Sequence, residues 1–401
     1  MLKKAKNVNV WPDPIIEWAV TSTIDVNHPV IWIKTLIKNL LSTGLPLSRI
    51  RILHQILHPQ LAGISYCWTH PSQDIVINKP TQGLLERETY LSSPLYLICE
   101  GNTEKVRCRL NQVQSQPDYP ILNDLRKEGM TDYLVLPLKF SEERTGAISF
   151  ATTHSDGFSD EEVSYLQQFV RAITRSLEVL VLHEKALSLL NAYLGKTTGN
   201  RVLAGTIQRG DGETINAVIW FSDLRASTKL SETLPSNEYL NVLNQYFDCL
   251  AGSVLQQEGE VLRFIGDAVL AIFPVGEHNF KTWDSACNAA LVAVKEADRQ
   301  VTALNQARKQ VNLSPINYGI ALHIGEVHYG NIGTATRVEF TVVGKAANEA
   351  AKIESLCKVL NKKVLISESF TQYLQAPWRS LGEHALPGSH QTIKLYSFDF
   401  H

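Results

Sequence analysis

Two hydrophobic rhythms alternate along this chain of 401 residues. An amphipathic run from about His28 to Ser42 stops at Gly44, the pattern of a helix closed by glycine at C′. Asp132-Tyr-Leu-Val-Leu-Pro-Leu-Lys-Phe140 and Gly146-Ala-Ile-Ser-Phe-Ala-Thr152 flank the polar turn Ser141-Glu-Glu-Arg-Thr145 and predict a β-hairpin. Residues 100–130 between them are polar and irregular, the pattern of a lid or a loose loop. Ser159 and Glu162 then form a capping box, with Phe158 and Val163 as its hydrophobic staple. The helix they open repeats Val163, Leu166, Val170, Ile173, Leu177 and Leu180 at spacings of three and four, an a/d seam. Glu184 interrupts the seam, Leu187 and Leu194 resume it, and Gly195 ends it. Two readings fit this helix: one packed on its own domain, and a parallel dimer stalk joining a sensor to an effector.

Beyond polar Arg209-Gly-Asp-Gly-Glu213 the pattern predicts a strand (216–222), a helix (about 235–256) and a hairpin (260–273). A helix (about 282–309), strands (316–324 and 337–343), a helix (345–360) and a last strand (363–366) follow. Strand, helix, hairpin, helix, strand is a ferredoxin-like order. The expected fold class is therefore α/β (α+β) in three parts: a domain over 1–158, a connecting and dimerising helix over 159–196, and a ferredoxin-like domain over 212–401.

Composition narrows the function. Apolar residues make up 44% and charged residues 19%, enough for packed cores. A net charge of −2 gives no basic excess for a nucleic-acid or anionic-membrane partner. The start, Met1-Leu-Lys-Lys-Ala-Lys-Asn-Val-Asn-Val-Trp-Pro, lacks an apolar signal core, and no run reaches the roughly 18 apolar residues of a membrane span. Six cysteines are scattered without paired spacing, as expected of reduced thiols. A cytoplasmic location is expected.

Asp223 ends the apolar run Ala217-Val-Ile-Trp-Phe-Ser-Asp, and Asp267 occupies the turn of Val261-Leu-Arg-Phe-Ile-Gly-Asp-Ala-Val-Leu-Ala-Ile-Phe273. Singly, such an Asp reads as a turn or helix cap. Two carboxylates on neighbouring strand tips suit a hard cation such as Mg²⁺, which keeps substrate phosphates among its ligands. That chemistry belongs to nucleoside triphosphates.

Four segments in order carry a specific resemblance: Phe221-Ser-Asp-Leu-Arg-Ala-Ser-Thr228, Arg263-Phe-Ile-Gly-Asp-Ala-Val-Leu270, Gly319-Ile-Ala-Leu-His-Ile-Gly-Glu-Val-His-Tyr-Gly-Asn-Ile-Gly333 and Phe340-Thr-Val-Val-Gly-Lys-Ala-Ala-Asn-Glu-Ala-Ala-Lys-Ile-Glu354. With the tail Leu381-Gly-Glu-His-Ala-Leu386, they resemble the catalytic domain of class III nucleotidyl cyclases. The resemblance implies a head-to-tail homodimer that converts a nucleoside triphosphate to a 3′,5′-cyclic monophosphate and pyrophosphate. It makes Asp223 and Asp267 the holders of Mg²⁺ or Mn²⁺. Phe221, Ser222 and Leu224 lend backbone near the triphosphate. Asn348 orients the ribose, and Lys352, one turn on, stands where the family has an Arg that stabilises the transition state. Lysine keeps the charge without the planar fork, so a slower reaction is expected. Arg263 and Thr341 occupy the base-recognising positions. Guanylyl cyclases carry Glu at the first of these, so Arg263 favours ATP and adenylate cyclase activity, while its all-donor head also suits a pyrimidine carbonyl. Pro387 replaces a common basic residue, with Lys394 or Lys345 as substitutes. These departures keep two alternatives open: a cyclase for GTP or a pyrimidine nucleotide, and a non-catalytic nucleotide-binding module.

The hairpin at 132–152, Gly157-Phe-Ser-Asp-Glu-Glu and the long helix are similar to the end of a GAF-type sensor domain. That resemblance implies a small-molecule ligand or a dimer platform, with control passed through helix 159–194. Tyr66, Cys67, Trp68 and Tyr133 are candidates to line a pocket or to pack a core. His54, His58, His70, His323 and His328 lack a metal-ligand spacing and are expected to be structural.

Overall fold

The computed structural model describes residues 13–72, 74–101, 103–111, 119–141, 146–276 and 280–398. Positions 1–12, most of the expected turn at 141–145 and part of the expected loop at 100–130 lie outside them. The chain divides into two units, Met1–Ala192 and Tyr193–His401.

The first unit opens with α1 (Pro14–Thr21) and α2 (Pro29–Ser42), the second closed at Gly44 with φ +84°. Strands β1 (Arg49–Gln55), β2 (Gly63–Thr69) and β3 (Ile75–Asn78) come next, then α3 (Glu88–Leu91) and α4 (Pro94–Cys99). After them run β4 (Val106–Arg109), α5 (Pro120–Lys127), β5 (Asp132–Leu138), β6 (Gly146–Thr152) and the 35-residue α6 (Asp160–Leu194). The six strands form one antiparallel sheet in the order β3-β2-β1-β6-β5-β4. The segment expected to be loose thus holds a strand and a helix, because Cys108, Leu122 and Leu125 bury their apolar groups under the sheet.

Strand alternation gives this sheet two apolar faces. Ile50, Ile52, Tyr66, Trp68, Leu136 and Phe150 face α2 and α6. Leu53, Tyr133, Val135 and Ala147 face α4 and α5. The expected capping box starts α6: Ser159 N–H donates to Glu162 Oε2 at 2.7 Å, and Glu162 N–H donates to Ser159 Oγ at 3.2 Å. Of the two readings of the seam, packing on its own domain is the one found over 163–180, which meets this unit's own sheet. Val163, Leu166, Val170, Ile173, Leu177 and Leu180 are all buried in that core. The apolar side chains that α6 leaves exposed lie on another face: Val179, Leu182, Leu189 and Tyr193.

In the second unit α7 (Lys196–Leu203) precedes β7 (Gly212–Leu224), α8 (Ser227–Thr233) and α9 (Ser236–Gln256). The hairpin β8 (Glu260–Ile265) and β9 (Ala268–Val275) leads to α10 (Trp283–Gln310) and β10 (Tyr318–Gly333). Then come β11 (Val338–Val343), α11 (Lys345–Val359), β12 (Val364–Ser367), α12 (Glu368–Thr371), β13 (Arg379–Ala385) and β14 (Thr392–Ser397). The sheet order is β13-β14-β12-β10-β7-β9-β8, with β11 folded back on β10. β7, α9, the hairpin, α10 and β10 follow the strand–helix–hairpin–helix–strand order read from the pattern.

β10 is twice as long as its apolar run because its second half pairs with β11 and with the polar start of β7. Gly325 lies inside this strand. A Cβ there would come within 2.6 Å of the Ala346 methyl, so glycine lets α11 lie close to the sheet. On one face Trp220, Tyr246, Val254, Phe273 and Val294 pack β7 and β9 against α9 and α10. On the other, Ala217, Ile219, Val327, Val342, Ala346 and Ala350 pack β7, β10 and β11 against α11.

The two faces of α6 differ in what a truncation costs. Leu177→Ala empties core volume and is expected to cost about 2–5 kcal/mol. Leu182→Ala, at a position 48% exposed, should stay within about 0.5 kcal/mol of the parent. Urea unfolding followed by circular dichroism, at a concentration where the chain is monomeric, compares them. Equal losses would mean that the seam does not face the core.

Candidate active site

The sheet delivers two carboxylates to one point. Along β7, Trp220, Ser222 and Leu224 turn toward α9 and α10, where the Ser222 hydroxyl accepts from Trp220 Nε1 at 3.1 Å and Tyr246 OH at 3.2 Å. Alternation then sends Phe221 and Asp223 to the opposite face. Asp223 is in register with Ala268, the first residue of β9. Gly266 and Asp267 make the two-residue turn just before it, and Gly266 supplies the positive φ (+63°) that such a turn needs. Asp267 is thereby set beside Asp223.

The pair is electrostatically strained. Burial, and next the facing Asp267 carboxylate, push the Asp223 carboxyl up to about 6. Asp223 Oδ1 is buried without a hydrogen-bond partner. An orphaned carboxylate oxygen against a second carboxylate is a donor set that a hard divalent cation satisfies. Among the described residues no group of three or more His, Cys, Asp or Glu gathers as a metal cluster. A cation here would keep room for ligands from outside the protein, as Mg²⁺ does with phosphates.

A third carboxylate feels this pair. Glu354 of α11 is buried, and desolvation followed by the charge of Asp223 pushes it up to about 7. Gly319 of β10, in register with Asp223, makes space for it, since a Cβ there would fall 2.2 Å from Glu354 Oε1. The sequence signal for Glu354 was its place on the buried face of α11, one turn past Ala350.

Arg263 and Thr341 converge on another corner of the sheet. Arg263 Nε donates to Glu339 Oε1 at 2.6 Å, and Glu339 lies two residues before Thr341 on β11. The period of two puts Glu339 and Thr341 on one face of that strand. Thr341 is 2% exposed and its hydroxyl is buried without a partner. Glu339 was missed in the sequence, although alternation along the expected strand 337–343 would have placed it beside Thr341.

Asn348 and Lys352 sit one turn apart on α11, Asn348 exposed and Lys352 half-buried. Among the described residues no carboxylate pairs with Lys352. Phe221 is half-buried, and Ser222 and Leu224 are buried in the core, so only the backbone of the latter two is left to serve a ligand. The next helix, α8, begins at Ser227, just beyond the Asp223 strand end. Lys345 pairs with Glu349 at 3.6 Å and Lys394 with Glu368 at 2.8 Å, while Pro387 lies between β13 and β14. His323 is a buried strut, with Nδ1 2.9 Å from Ser367 Oγ and Nε2 3.3 Å from Glu349 Oε2. Within one chain the described residues therefore form three groups: Asp223 with Asp267, Arg263 with Glu339 and Thr341, and Asn348 with Lys352. Among them no hydrogen bond or ion pair joins one group to another.

Residues 212–399 match the family described as the Adenylate and Guanylate cyclase catalytic domain. An adenylate cyclase from Anabaena cylindrica is 32% identical over 171 residues, which is 43% of this chain and 33% of that protein. A terminal-differentiation-specific adenylate cyclase from Dictyostelium discoideum is 31% identical over 160 residues, 40% of this chain and 7% of that protein. The matched stretch thus spans a third or less of either curated relative. Among solved structures, that of the guanylyl cyclase Cya2 is 28% identical, covering 46% of this chain and 92% of that one at a TM-score of 0.40. By the family match, with adenylate cyclases among its relatives, the segment 212–399 is a class III adenylate/guanylate (nucleotidyl) cyclase catalytic domain.

Proposed function

We propose that this protein is an adenylate cyclase that works as a homodimer, converting ATP to 3′,5′-cyclic AMP and pyrophosphate. The observation that carries the reading is the half-buried Asp223–Asp267 pair, whose orphaned Asp223 oxygen calls for a cation. Asp223 and Asp267 hold Mg²⁺ or Mn²⁺, and the ion, when bound, lowers the pKa of the ribose 3′-hydroxyl and offsets charge on the phosphates. The 3′-oxygen bonds to the α-phosphorus, the bond from that phosphorus to the bridging oxygen breaks, and pyrophosphate leaves. Asn348 orients the ribose, and Lys352 sets a positive charge beside the reacting phosphate. Backbone at Phe221, Ser222 and Leu224 lies along the triphosphate.

Homodimer formation is supported by what one chain leaves apart and uncovered. Among the described residues no hydrogen bond or ion pair joins Asn348 or Lys352 to Asp223 or Asp267, and a second copy related by a two-fold axis brings its own set to them. Exposed Phe264, Ile265 and Val343 near the base-side group are apolar surface for that copy to cover. On α6, Val179, Leu182, Ala186, Leu189 and Tyr193 recur at spacings of four and three on the outward face, a second seam suited to the same pairing.

The base assignment rests on Arg263 donating to a ring nitrogen and Thr341 meeting the exocyclic amine. One observation favours a second reading. The Glu339 carboxylate on Arg263 offers an acceptor that could take guanine N1–H and its amino group, with Arg263 on O6. A cyclase for GTP is that reading.

Purified protein given ATP, GTP, CTP and UTP with Mn²⁺ is expected to yield cyclic AMP as its main product by mass spectrometry. Cyclic GMP as the main product would replace the base assignment. Asp267→Ala and Asn348→Ala should each remove turnover while keeping the fold. Mixed together they should recover about a quarter of parent activity, because half the dimers are mixed and each mixed dimer keeps one intact site. No recovery on mixing would refute a site shared between protomers.

The carboxylate pair has its own test. Asp223 must shed its proton to hold a cation, so metal affinity should fall with acidification. With the carboxyl at about 6, Mn²⁺ binding without nucleotide should weaken about tenfold from pH 7 to pH 5. Calorimetric titration reads this. Affinity that is flat over the window, or unchanged in Asp223→Asn, would assign the ion to other residues.

A further inference from the structure

The first unit contains a half-open cavity of about 230 Å³ on the sheet face opposite α6, set between β1, β2 and the segment carrying α3 and α4. Tyr66, Cys67, Trp68 and Tyr133 do not line it. Tyr66 and Trp68 belong to the core on the other face, and Tyr133 packs with α4 and α5. The lining is mostly apolar, with Leu53, Ala62, Leu85, Leu95 and Ile121 prominent, and one cation projects among them: Arg51.

Alternation along β1 fixes where Arg51 points. Ile50, Ile52 and His54 turn toward α6, and His54 Nε2 meets Glu184 Oε2 there at 2.7 Å. Arg51 and Leu53 turn to the cavity face. Arg51 is half-buried, and its Nε donates to Ser65 Oγ at 2.8 Å. Among the described residues no carboxylate pairs with it. Another half-buried guanidinium of the same sheet is treated differently: Arg107 meets Asp132 at 2.8 Å and Asp160 at 3.2 Å.

A guanidinium drawn out of water into an apolar wall is costly without a counter-ion. With Nε committed to Ser65, both terminal nitrogens of Arg51 remain, and their four N–H groups match the two oxygens of a carboxylate. Volume limits the remainder of such a ligand, because 230 Å³ lies below the roughly 300–1,000 Å³ of sites for drug-sized molecules. Cys99 at the wall is not a capture group, since burial pushes its thiol up to about 11 and keeps it protonated.

We propose that the N-terminal unit binds a small, largely apolar carboxylate in this cavity, with Arg51 as its counter-ion. This rests on the cavity and not on the cyclase reading, so either can fail without the other.

The test uses the full chain and three matched pairs: hexanoate and hexanamide, benzoate and benzamide, indole-3-acetate and indole-3-acetamide. Titration calorimetry should find at least one acid with Kd below about 1 mM and its amide at least about tenfold weaker. Arg51→Met should erase that preference, and Arg51→Lys should keep part of it. Leu95→Trp, which fills the cavity while leaving Arg51 in place, should abolish acid binding. Melting curves report whether each variant is folded, and the Leu95 and Lys variants carry the test if Arg51→Met is not. The proposal is overturned if no acid binds below about 1 mM, if acid and amide bind alike, or if the preference survives Arg51→Met or the filled cavity.

Discussion

Two like charges are held against each other by a sheet that gives them no choice. Asp223 cannot turn away, because Ser222 beside it is locked into the core by Trp220 and Tyr246 and alternation fixes the opposite face. Asp267 cannot retreat, because the Gly266 turn sets it next to Ala268, the register partner of Asp223. The folded chain therefore stores an electrostatic penalty at one point on its sheet. A proton or a cation relieves it, and the raised Asp223 carboxyl is the mark of the proton doing so. The same field reaches Glu354 beneath α11, so the helix carrying Asn348 and Lys352 is coupled to the charge state of the pair.

That penalty is affordable because the rest of the second unit is heavily packed. β7 and β10 are buried on both faces, with α9 and α10 on one and α11 on the other. The glycines of β10 set how closely α11 approaches. Gly325 admits Ala346, and Gly319 leaves the space that the Glu354 carboxyl fills. Their function is clearance between a helix and a sheet more than freedom to turn. A rigid, close-packed frame is what holds charged groups in geometries they would leave in water.

The base-side group follows a different logic. Arg263 and Glu339 are both exposed enough for solvent to weaken their attraction, so their pairing contributes little stability. Its value is orientation: the carboxylate fixes one edge of the guanidinium and directs the others. Arg51 in the first unit is the inverse case, a guanidinium held, among the described residues, by the Ser65 hydroxyl and by no carboxylate. One chain thus holds the same side chain by a carboxylate in one unit and by a hydroxyl in the other.

Local patterns were sufficient for much of this. Periods of two and 3.6 located the hairpins and the long helices, Ser159 and Glu162 placed the start of α6, and the strand–turn pattern put Asp223 at a strand end and Asp267 in a tight turn, while their meeting depends on β7 pairing with β9 across α8 and α9. What lay across space was not encoded that way. The spacing of Val163 through Leu180 establishes an apolar face on α6 but is silent on what covers it, and the fold put the sheet there and left Val179, Leu182 and Leu189 outside. Glu339 reaching Arg263, and Arg51 lacking a carboxylate partner among the described residues, depend on which strands and loops converge. A sequence period describes one element's faces, whereas counter-ions and cavities arise where separate elements meet, and only the tertiary structure decides those meetings.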